Sequence, residues 1–334
     1  MKKILILILI TALMILSCKN NSTNVDTSQD NNNENSGNNN NNGNNGGSTV
    51  TPEELEKYGI DIASATTQTI EEALKKYAAD HSGEYKLIFK GTALIEYTKP
   101  VSIASLLNNI ALKNISITVN FENVNFQNNK LSDLILQGIH TNLNVVKVVL
   151  PDTIITIGRE AFHCVNLTNV NMPKNLKTIE NLAFNKLKME NVILPDGLQT
   201  IGRSAFSICN IKTVVIPDSV ISIGERAFEA CRELTKITLP NSITTLESSI
   251  FASCSALQSI TIPASITEIK GLAFYYAKAL ETVTFLSPTP PIIARNAFNY
   301  CSNLKTINVP KESKTLYEQL KGNGIPGAAK IIEY

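Results

Sequence analysis

The amino-acid sequence predicts an α/β repeat fold, in which stacked parallel strands form a solenoid behind a small α/β N-terminal cap. Prolines and phenylalanines recur along the second half of the chain at a nearly constant interval, and an alternating apolar pattern precedes the prolines. One such unit cannot enclose its own apolar residues, whereas stacked units bury them in continuous rows. The prolines are Pro151, Pro173, Pro195, Pro217, Pro240, Pro263, Pro288 and Pro310, and the phenylalanines are Phe162, Phe184, Phe206, Phe228, Phe251, Phe274 and Phe298.

The segment before each proline is predicted to be the first strand of a coil. In the clearest copy, Ile237 and Leu239 point inward and alternate with outward Lys236 and Thr238, which is the period of a strand with one buried face. Pro240 has no N–H to donate to a neighbouring strand, so the strand ends there.

A second short strand and a helical turn complete the predicted coil. We expect the strand at Val220–Ile223 and the turn at Ala227–Cys231, with Phe228 pointing inward. Coils stacked at about 4.8 Å would align the Phe, Ile and Leu positions in ladders.

This coil resembles that of the BspA-like bacterial leucine-rich repeats, which follows the pattern L-x-x-I-x-[IL]-P, then I-x-x-I-G, then A-F-x-x-C. The match covers about half of the chain, from Val145 to Pro310. The resemblance implies a leucine-rich-repeat solenoid and, from the adhesins of this subclass, a surface protein that binds macromolecules. Because several coils lack the pattern's glycine, that position does not require a left-handed backbone. The glycine is present at Gly158, Gly202 and Gly224 and is replaced by Glu180, Glu247, Lys270 and Ala294.

A degenerate eighth coil is expected before the seven regular ones. Leu131 and Leu134 take the places of the second-strand residues, and Ile139 takes the place of the phenylalanine, one repeat length before Phe162.

An α/β cap is expected over residues 51–113, because an open solenoid end needs covering. A capping-box match at Thr69–Glu72 predicts the start of a helix with Ile70, Leu74 and Tyr77 on one face. The other predicted elements are a helix near Ile103–Ile110, strands near Tyr85–Phe89 and Ile115–Phe121, a C-terminal helix over Ser313–Lys321 and an extended segment at Lys330–Glu333.

The N-terminus predicts an exported, lipid-anchored protein. Lys2 and Lys3 precede the mostly apolar Ile4–Leu16, as in a secretory signal. This run is too short to span a bilayer, which takes about 20 residues. Residues 15–18 resemble the bacterial lipobox, which implies that Cys18 is acylated; the alternative is an ordinary cleaved signal followed by an unrelated cysteine. Lys19, where many inner-membrane lipoproteins have aspartate, favours an outer-membrane or surface destination.

Residues 18–50 are predicted to be a flexible tether rich in Asn, Gly and Ser, because such a composition cannot bury enough apolar area to order the chain. Thirty residues of this kind have a reach of about 30 Å. The predicted organisation is a signal peptide (1–17), the acylated tether (18–50), the N-terminal cap (51–113), the solenoid (114–310) and a C-terminal cap (311–334).

The cysteines of the array favour buried free thiols. Export makes disulfides possible, and neighbouring coils could bring cysteines close enough to bridge. However, Leu187 and Ala277 occupy the same repeat position, which indicates a small apolar core site. The cysteines are Cys164, Cys209, Cys231, Cys254 and Cys301.

No catalytic, cofactor-binding or metal-binding residues are predicted. The histidines His81, His140 and His163 belong to no H-E-x-x-H or serine-hydrolase motif, and the cysteines lack paired metal-ligand spacing. His163 adjoins Cys164, but adjacent residues rarely aim at one another. An enzyme with its site in the cap is the least favoured alternative.

The outward first-strand positions are the candidate binding surface, because they form a nearly uncharged stripe and solenoids commonly present broad binding faces. The alternative is that β-branched polar residues simply suit exposed strands. The candidate partner-binding residues are Thr213, Val215, Lys236, Thr238, Ser259, Thr261, Thr282 and Thr284. The stripe also includes Asn169, Asn171, Asn191, Ile193, Thr306 and Asn308.

Charge balance argues against a nucleic-acid binder. The formal net charge is +1, and loss of Lys2 and Lys3 with the signal leaves 28 basic and 29 acidic residues. The sequence therefore predicts a monomeric, non-enzymatic surface lipoprotein that binds a protein or glycoprotein ligand. The alternative is a structural or scaffold lipoprotein of the envelope.

Overall fold

Stacked parallel strands dominate the computed structural model, which describes residues 50–93, 102–138, 143–163 and 166–334. The predicted signal peptide, Cys18 and the tether lie outside the described residues, as do Ile139, His140 and Cys164. Within the described ranges, no helix combines the length and apolar character needed to cross a bilayer.

The N-terminal part alternates helices and strands, as predicted. Its elements are α1 (Pro52–Tyr58), β1 (Ile60–Asp61), α2 (Thr67–Asp80), β2 (Tyr85–Ala93), α3 (Ile103–Asn108) and β3 (Ile115–Phe126), with a short 3-10 turn at Gln127–Asn129.

Helix α2 begins earlier than predicted. Thr66 is its N-cap, and the side chains and backbone N–H groups of Thr66 and Thr69 hydrogen-bond reciprocally. The capping box expected at Thr69–Glu72 is therefore wrong, because a threonine one turn upstream already satisfies the free N–H groups. The buried face of Ile70, Leu74 and Tyr77 is confirmed. Helix α1, which we did not predict, has its own capping box between Thr51 and Glu54.

The first strands of the coils form parallel ladders. They are β5 (Leu143–Val149), β7 (Asn169–Val170), β10 (Thr213–Val215), β12 (Lys236–Thr238), β14 (Ser259–Ile262), β16 (Thr282–Phe285) and β18 (Thr306–Val309), followed by β19 (Lys330–Glu333). One sheet has the order β1-β2-β3-β5-β7, so the N-terminal strands continue the solenoid ladder across residue 113. The later strands form a β10-β12 pair and a β14-β16-β18-β19 sheet.

The second strands form two further parallel sheets and are very short. They are β4 (Lys130–Leu131), β6 (Thr156–Ile157), β8 (Thr178–Ile179), β9 (Thr200–Ile201), β11 (Ser222–Ile223), β13 (Thr245–Leu246), β15 (Glu268–Ile269) and β17 (Ile292–Ile293). One sheet joins β4, β6, β8, β9 and β11, and the other joins β13, β15 and β17.

The segment at Ala227–Cys231 is not a helical turn, so this prediction is wrong. The backbone there makes successive tight turns, and Arg226 and Ala230 have φ of 58° and 57°. These left-handed residues interrupt any helix. Instead, backbone N–H groups of these turns donate hydrogen bonds to the next coil. For example, the N–H of Phe228 donates to the carbonyl of Ile250 at 3.1 Å.

The eighth coil exists, but its predicted register is wrong. Leu131 pairs with Ile157, a position that we assigned to Leu134. Leu136 donates to the carbonyl of Ala161 just as Phe162 donates to that of Ala183, so Leu136 occupies the phenylalanine position instead of Ile139. The spacing to Phe162 is thus longer than the ordinary repeat, because the first coil has a longer connection that sequence offsets did not reveal.

The phenylalanines form the predicted internal ladder. Neighbouring rings from Phe162 to Phe298 are stacked with centroids 4.9 to 6.0 Å apart. Phe89 and Phe121 make a similar stacked pair at 5.4 Å. The rings are almost completely buried, and each large ring removes much apolar surface from water in the core that joins the coils.

The C-terminal segment contains the predicted helix and extended strand. Helix α4 (Lys314–Glu318) and strand β19 follow β18, and β19 pairs with β18 in parallel. The hydroxyl of the buried Tyr317 donates to the carbonyl of Ser287 at 2.8 Å, which anchors α4 to the preceding coil.

Candidate binding surface

The structure brings the predicted stripe residues into register across neighbouring coils. Between β10 and β12, Thr213 lies opposite Lys236, and Val215 lies opposite Thr238. The same arrangement places Ser259 opposite Thr282 and Thr261 opposite Thr284 between β14 and β16. The inward partners Val214, Ile237, Ile260 and Val283 are buried.

Exposure varies along this surface. Thr213, Val215, Lys236, Thr238, Ser259 and Thr261 are exposed, whereas Thr282 and Thr284 are half-buried. Asn308 donates to the hydroxyl of Thr284 at 3.2 Å. At the other end, the side chain of Asn171 hydrogen-bonds both the N–H and the carbonyl of Leu150. The middle of the stripe is therefore the part that is most available to a partner.

Two aliphatic side chains stand out in this middle part. Ile193 is 86% exposed and Val215 is 66% exposed. Asn191 and Thr213 form an isolated parallel β-bridge between adjacent coils. Ile193 and Val215 each lie two residues further along, so they occupy the same rung of the two coils. We define the first-strand patch as Ile193, Val215, Thr238 and Thr261. Two large aliphatic side chains next to threonines match the apolar centre and polar rim of protein interfaces.

An ion pair borders the patch. Lys212 and Glu190 lie 2.7 Å apart, immediately before the strand positions of their coils. The hydrogen bond to Glu190 raises the pKa of Lys212. Because both side chains are about half exposed, the pair adds little stability, and the two charges largely cancel at the rim of the patch.

Buried cysteines form a repeated hydrogen-bond pattern inside the coils. The thiol of Cys231 donates to the carbonyl of Phe206 at 3.1 Å, and Cys254 donates to Phe228 in the same way. Cys209 and Cys301 make the equivalent bonds. All four are free thiols, which confirms the prediction for the described cysteines. The sequence did not indicate that the thiol satisfies a carbonyl of the preceding coil.

These thiols are expected to resist modification in the native protein. Burial raises the pKa of Cys231 to about 12, and it raises the pKa of Cys209 well above its usual range. Since the thiolate is the reactive form, iodoacetamide at neutral pH should label Cys231 and Cys209 only after denaturation. Mass spectrometry with and without urea measures this. Rapid native labelling, or a disulfide between neighbouring coils, would contradict the buried thiol ladder.

The structure describes two of the three histidines, His81 and His163. His81 follows α2 and stacks on Tyr77, with ring centroids 3.8 Å apart and its Nδ1 2.9 Å from the Tyr77 carbonyl oxygen. His163 follows the buried Phe162 and is partly buried. In the described ranges, no three His, Cys, Asp or Glu side chains are grouped to hold a metal ion.

Three tyrosines, which the sequence pattern did not reveal, cluster beside a shallow groove at the C-terminal end. The groove has a volume of about 340 Å³ and lies between the last coil and residues 322–326. Tyr276 and Tyr300 occupy the same repeat position, two residues after the core phenylalanine. That shared position is the signal that could have revealed the cluster.

The repeat pattern and the strand geometry agree with a known family. The family model described as "BspA type Leucine rich repeat region (6 copies)" matches residues 88–212 and 199–320, which together span more than half of the chain. The chain belongs to the BspA-type leucine-rich repeat family. Leucine-rich repeats of this kind typically serve as scaffolds for protein interaction rather than for catalysis.

Several solved structures of bacterial leucine-rich-repeat proteins are similar to this BspA-type chain. A leucine-rich repeat protein from Bacteroides ovatus is 24% identical, with a TM-score of 0.40, and the match covers 61% of this chain and 63% of that one. This chain thus spans slightly less than two thirds of that relative. The leucine-rich repeat protein of T. pallidum is 25% identical, with a TM-score of 0.42, and the match covers 66% of this chain and 88% of that one.

A third similar structure is a leucine-rich cell surface protein from Faecalibacterium prausnitzii. It is 20% identical with a TM-score of 0.32, and the match covers 71% of this chain and 92% of that one. No curated protein matches the chain.

Proposed function

We propose that this protein is a lipid-anchored surface protein that binds a protein or glycoprotein ligand through its first-strand patch, in the manner of an adhesin. The observation that carries the proposal is the exposure of Ile193 and Val215 on the same rung of adjacent coils. Large aliphatic side chains are costly to leave in water, and their grouping with flanking threonines favours a partner of low charge.

Substitution within the first-strand patch tests the ligand-binding proposal. Val215→Glu together with Thr238→Glu is expected to weaken capture of the ligand at least about tenfold, because two carboxylates at the apolar centre of the contact would have to lose their water. Binding is measured by surface plasmon resonance, after a pull-down with residues 51–334 against extracellular-matrix and serum proteins identifies the ligand.

The same coil supplies a matched control. Ile221 is 67% exposed, like Val215, but it adjoins the second strand β11 rather than the first. Ile221→Glu is expected to leave binding unchanged. Equal retention of the ligand by the Val215→Glu/Thr238→Glu variant and the Ile221→Glu variant would exclude the first-strand patch.

Acylation of Cys18 is the proposed membrane anchor. Each methylene of a bound acyl chain contributes about 0.8 kcal/mol to membrane binding, so loss of the acyl chains should release the protein. In cells that carry Cys18→Ala, we expect no incorporation of labelled fatty acid and a shift of the protein out of the membrane fraction. Unchanged lipid labelling would show that Cys18 is not the acylation site.

A scaffold lipoprotein of the envelope is the second candidate, since the same patch would serve a periplasmic partner equally well. Protease treatment of intact cells separates the two. The adhesin proposal expects digestion of the repeat region without membrane permeabilisation, and protection until the outer membrane is opened would favour the scaffold.

A further inference from the structure

The tyrosine cluster at the end of the solenoid has the composition of a ligand site. Tyr275, Tyr276 and Tyr300 form a closed triangle, with ring centroids 5.1 to 5.2 Å apart. Tyr300 is 62% exposed, and Lys278 places its ammonium 4.7 Å from the ring centroid of Tyr276. Tyr276 is 38% exposed and Tyr275 is half-buried, so Tyr300 presents the largest share of the ring surface that faces water.

The backbone beneath two of these rings is unfavourable for tyrosine. Tyr276 and Tyr300 have φ of 61° and 64°, a left-handed conformation that glycine or asparagine adopts at lower cost. The equivalent positions in earlier coils hold Lys186, Ile208, Ala230 and Ser253, all with positive φ. The repeat geometry therefore accepts residues of different size and polarity here, and it does not require two neighbouring tyrosines at its solvent side.

The adjoining groove supplies polar groups next to the rings. Tyr300, Asn299, Ser302 and Arg295 line it, together with residues 322–326, which we call the closing segment. The Nε of Arg295 donates to the side-chain oxygen of Asn323 at 2.6 Å, which connects the last coil to the closing segment. The groove thus combines an exposed aromatic face with an amide, a hydroxyl and a guanidinium group.

We infer that the tyrosine cluster and this groove bind an oligosaccharide, with Tyr300 as the stacking platform. A sugar ring has an apolar C–H face, which packs on the electron-rich face of an aromatic ring, and a rim of hydroxyls that hydrogen-bond to amide, hydroxyl and guanidinium groups. The volume of about 340 Å³ lies within the range of small-molecule sites. A folded protein partner typically buries about 800 Å² on each side, whereas this groove has the volume of a small-molecule site.

Binding of defined glycans to the full-length, detergent-solubilised protein tests the inference. The chain has no tryptophan, so its fluorescence comes from nine tyrosines, three of which form the cluster, and saturation-transfer NMR detects the bound glycan directly. The probes are an array of neutral oligosaccharides of glucose, mannose, galactose and N-acetylglucosamine, with sialylated forms of the same glycans. We expect at least one of them to bind and to quench tyrosine fluorescence.

Variants localise that binding. Tyr300→Ala and Tyr276→Ala are each expected to weaken glycan binding about two- to tenfold, which is the range of a single aromatic contact. Tyr300→Phe keeps the aromatic ring and should bind the glycan like the native protein. Ile208→Ala changes the same repeat position in an earlier coil and should have no effect. Val215→Glu should also leave glycan binding unchanged. The glycan inference and the proposed binding by the first-strand patch are therefore tested independently.

Three results would overturn the inference. In the first, no glycan on the array binds. In the second, the Tyr276→Ala/Tyr300→Ala double variant binds the glycan as well as the native protein does. In the third, the double variant loses binding of a protein ligand and of no glycan.

Discussion

Phe206→Ala is expected to lower the free energy of unfolding by about 3 to 5 kcal/mol. The ring of Phe206 is completely buried and stacks between Phe184 at 5.2 Å and Phe228 at 5.4 Å. Its removal deletes two aromatic contacts and leaves a cavity that the adjacent coils cannot fill without breaking their own ladder. Urea denaturation followed by circular dichroism measures the change.

The loss should also be local at first. Coils contact only their neighbours, so hydrogen exchange in Phe206→Ala should accelerate in the adjacent coils before it does at the C-terminal end. Ile208→Ala is the control, because this partly exposed side chain lies two residues away in the same turn and should change stability by less than about 0.5 kcal/mol. A Phe206→Ala protein with the stability of this control would contradict the central role of the ladder.

Gly224→Ala is expected to destabilise the protein by about 1 to 3 kcal/mol, as overpacking does in other cores. A Cβ at Gly224 would lie 2.5 Å from the backbone nitrogen of Arg203 and 2.8 Å from the carbonyl carbon of Gly202. These are backbone atoms of the preceding coil, so the two coils must separate to admit a methyl group. Thermal unfolding of the purified repeat region measures the effect.

Glu247 supplies the comparison, since it occupies the same repeat position one coil later. Its carboxylate pairs with Lys270 at 2.9 Å, and both side chains are partly exposed. Glu247→Ala should therefore cost less than about 1 kcal/mol. If Gly224→Ala were as mild as Glu247→Ala, close approach of the backbone would not be the reason for glycine at this position.

The coil architecture could be predicted because each coil repeats the same local information. Alternation around Ile237 and Leu239 indicated a strand with one buried face, and the single phenylalanine per period indicated an internal ladder. The free, buried state of Cys231 followed from the apolar residues that replace it in other coils. Each of these inferences compares residues at equivalent positions of several coils, so it does not depend on the sequence of any single coil.

The failures occurred where the outcome depends on a particular neighbour. Leu136 rather than Ile139 takes the phenylalanine position, because the first coil has a longer connection than the others. Local pattern suggested a helical turn at Ala227–Cys231, yet hydrogen bonds to the next coil favour left-handed residues there. The tyrosine cluster was overlooked for the same reason, since Tyr276 and Tyr300 belong to different coils and lie a full repeat apart in the chain.

The sequence by itself determined the parallel coils, the phenylalanine ladder and the outward positions of the candidate stripe. These properties depend on the periodicity and composition of the sequence, and they can be inferred without knowledge of the contacts between coils. Only the tertiary structure decided the register of the first coil, the closeness of Gly224 to the coil before it, the exposure of Ile193 and Val215, and the meeting of the tyrosines with the C-terminal groove. Each of these depends on which residues lie opposite one another after the coils stack, and no local pattern encodes the distance between two coils.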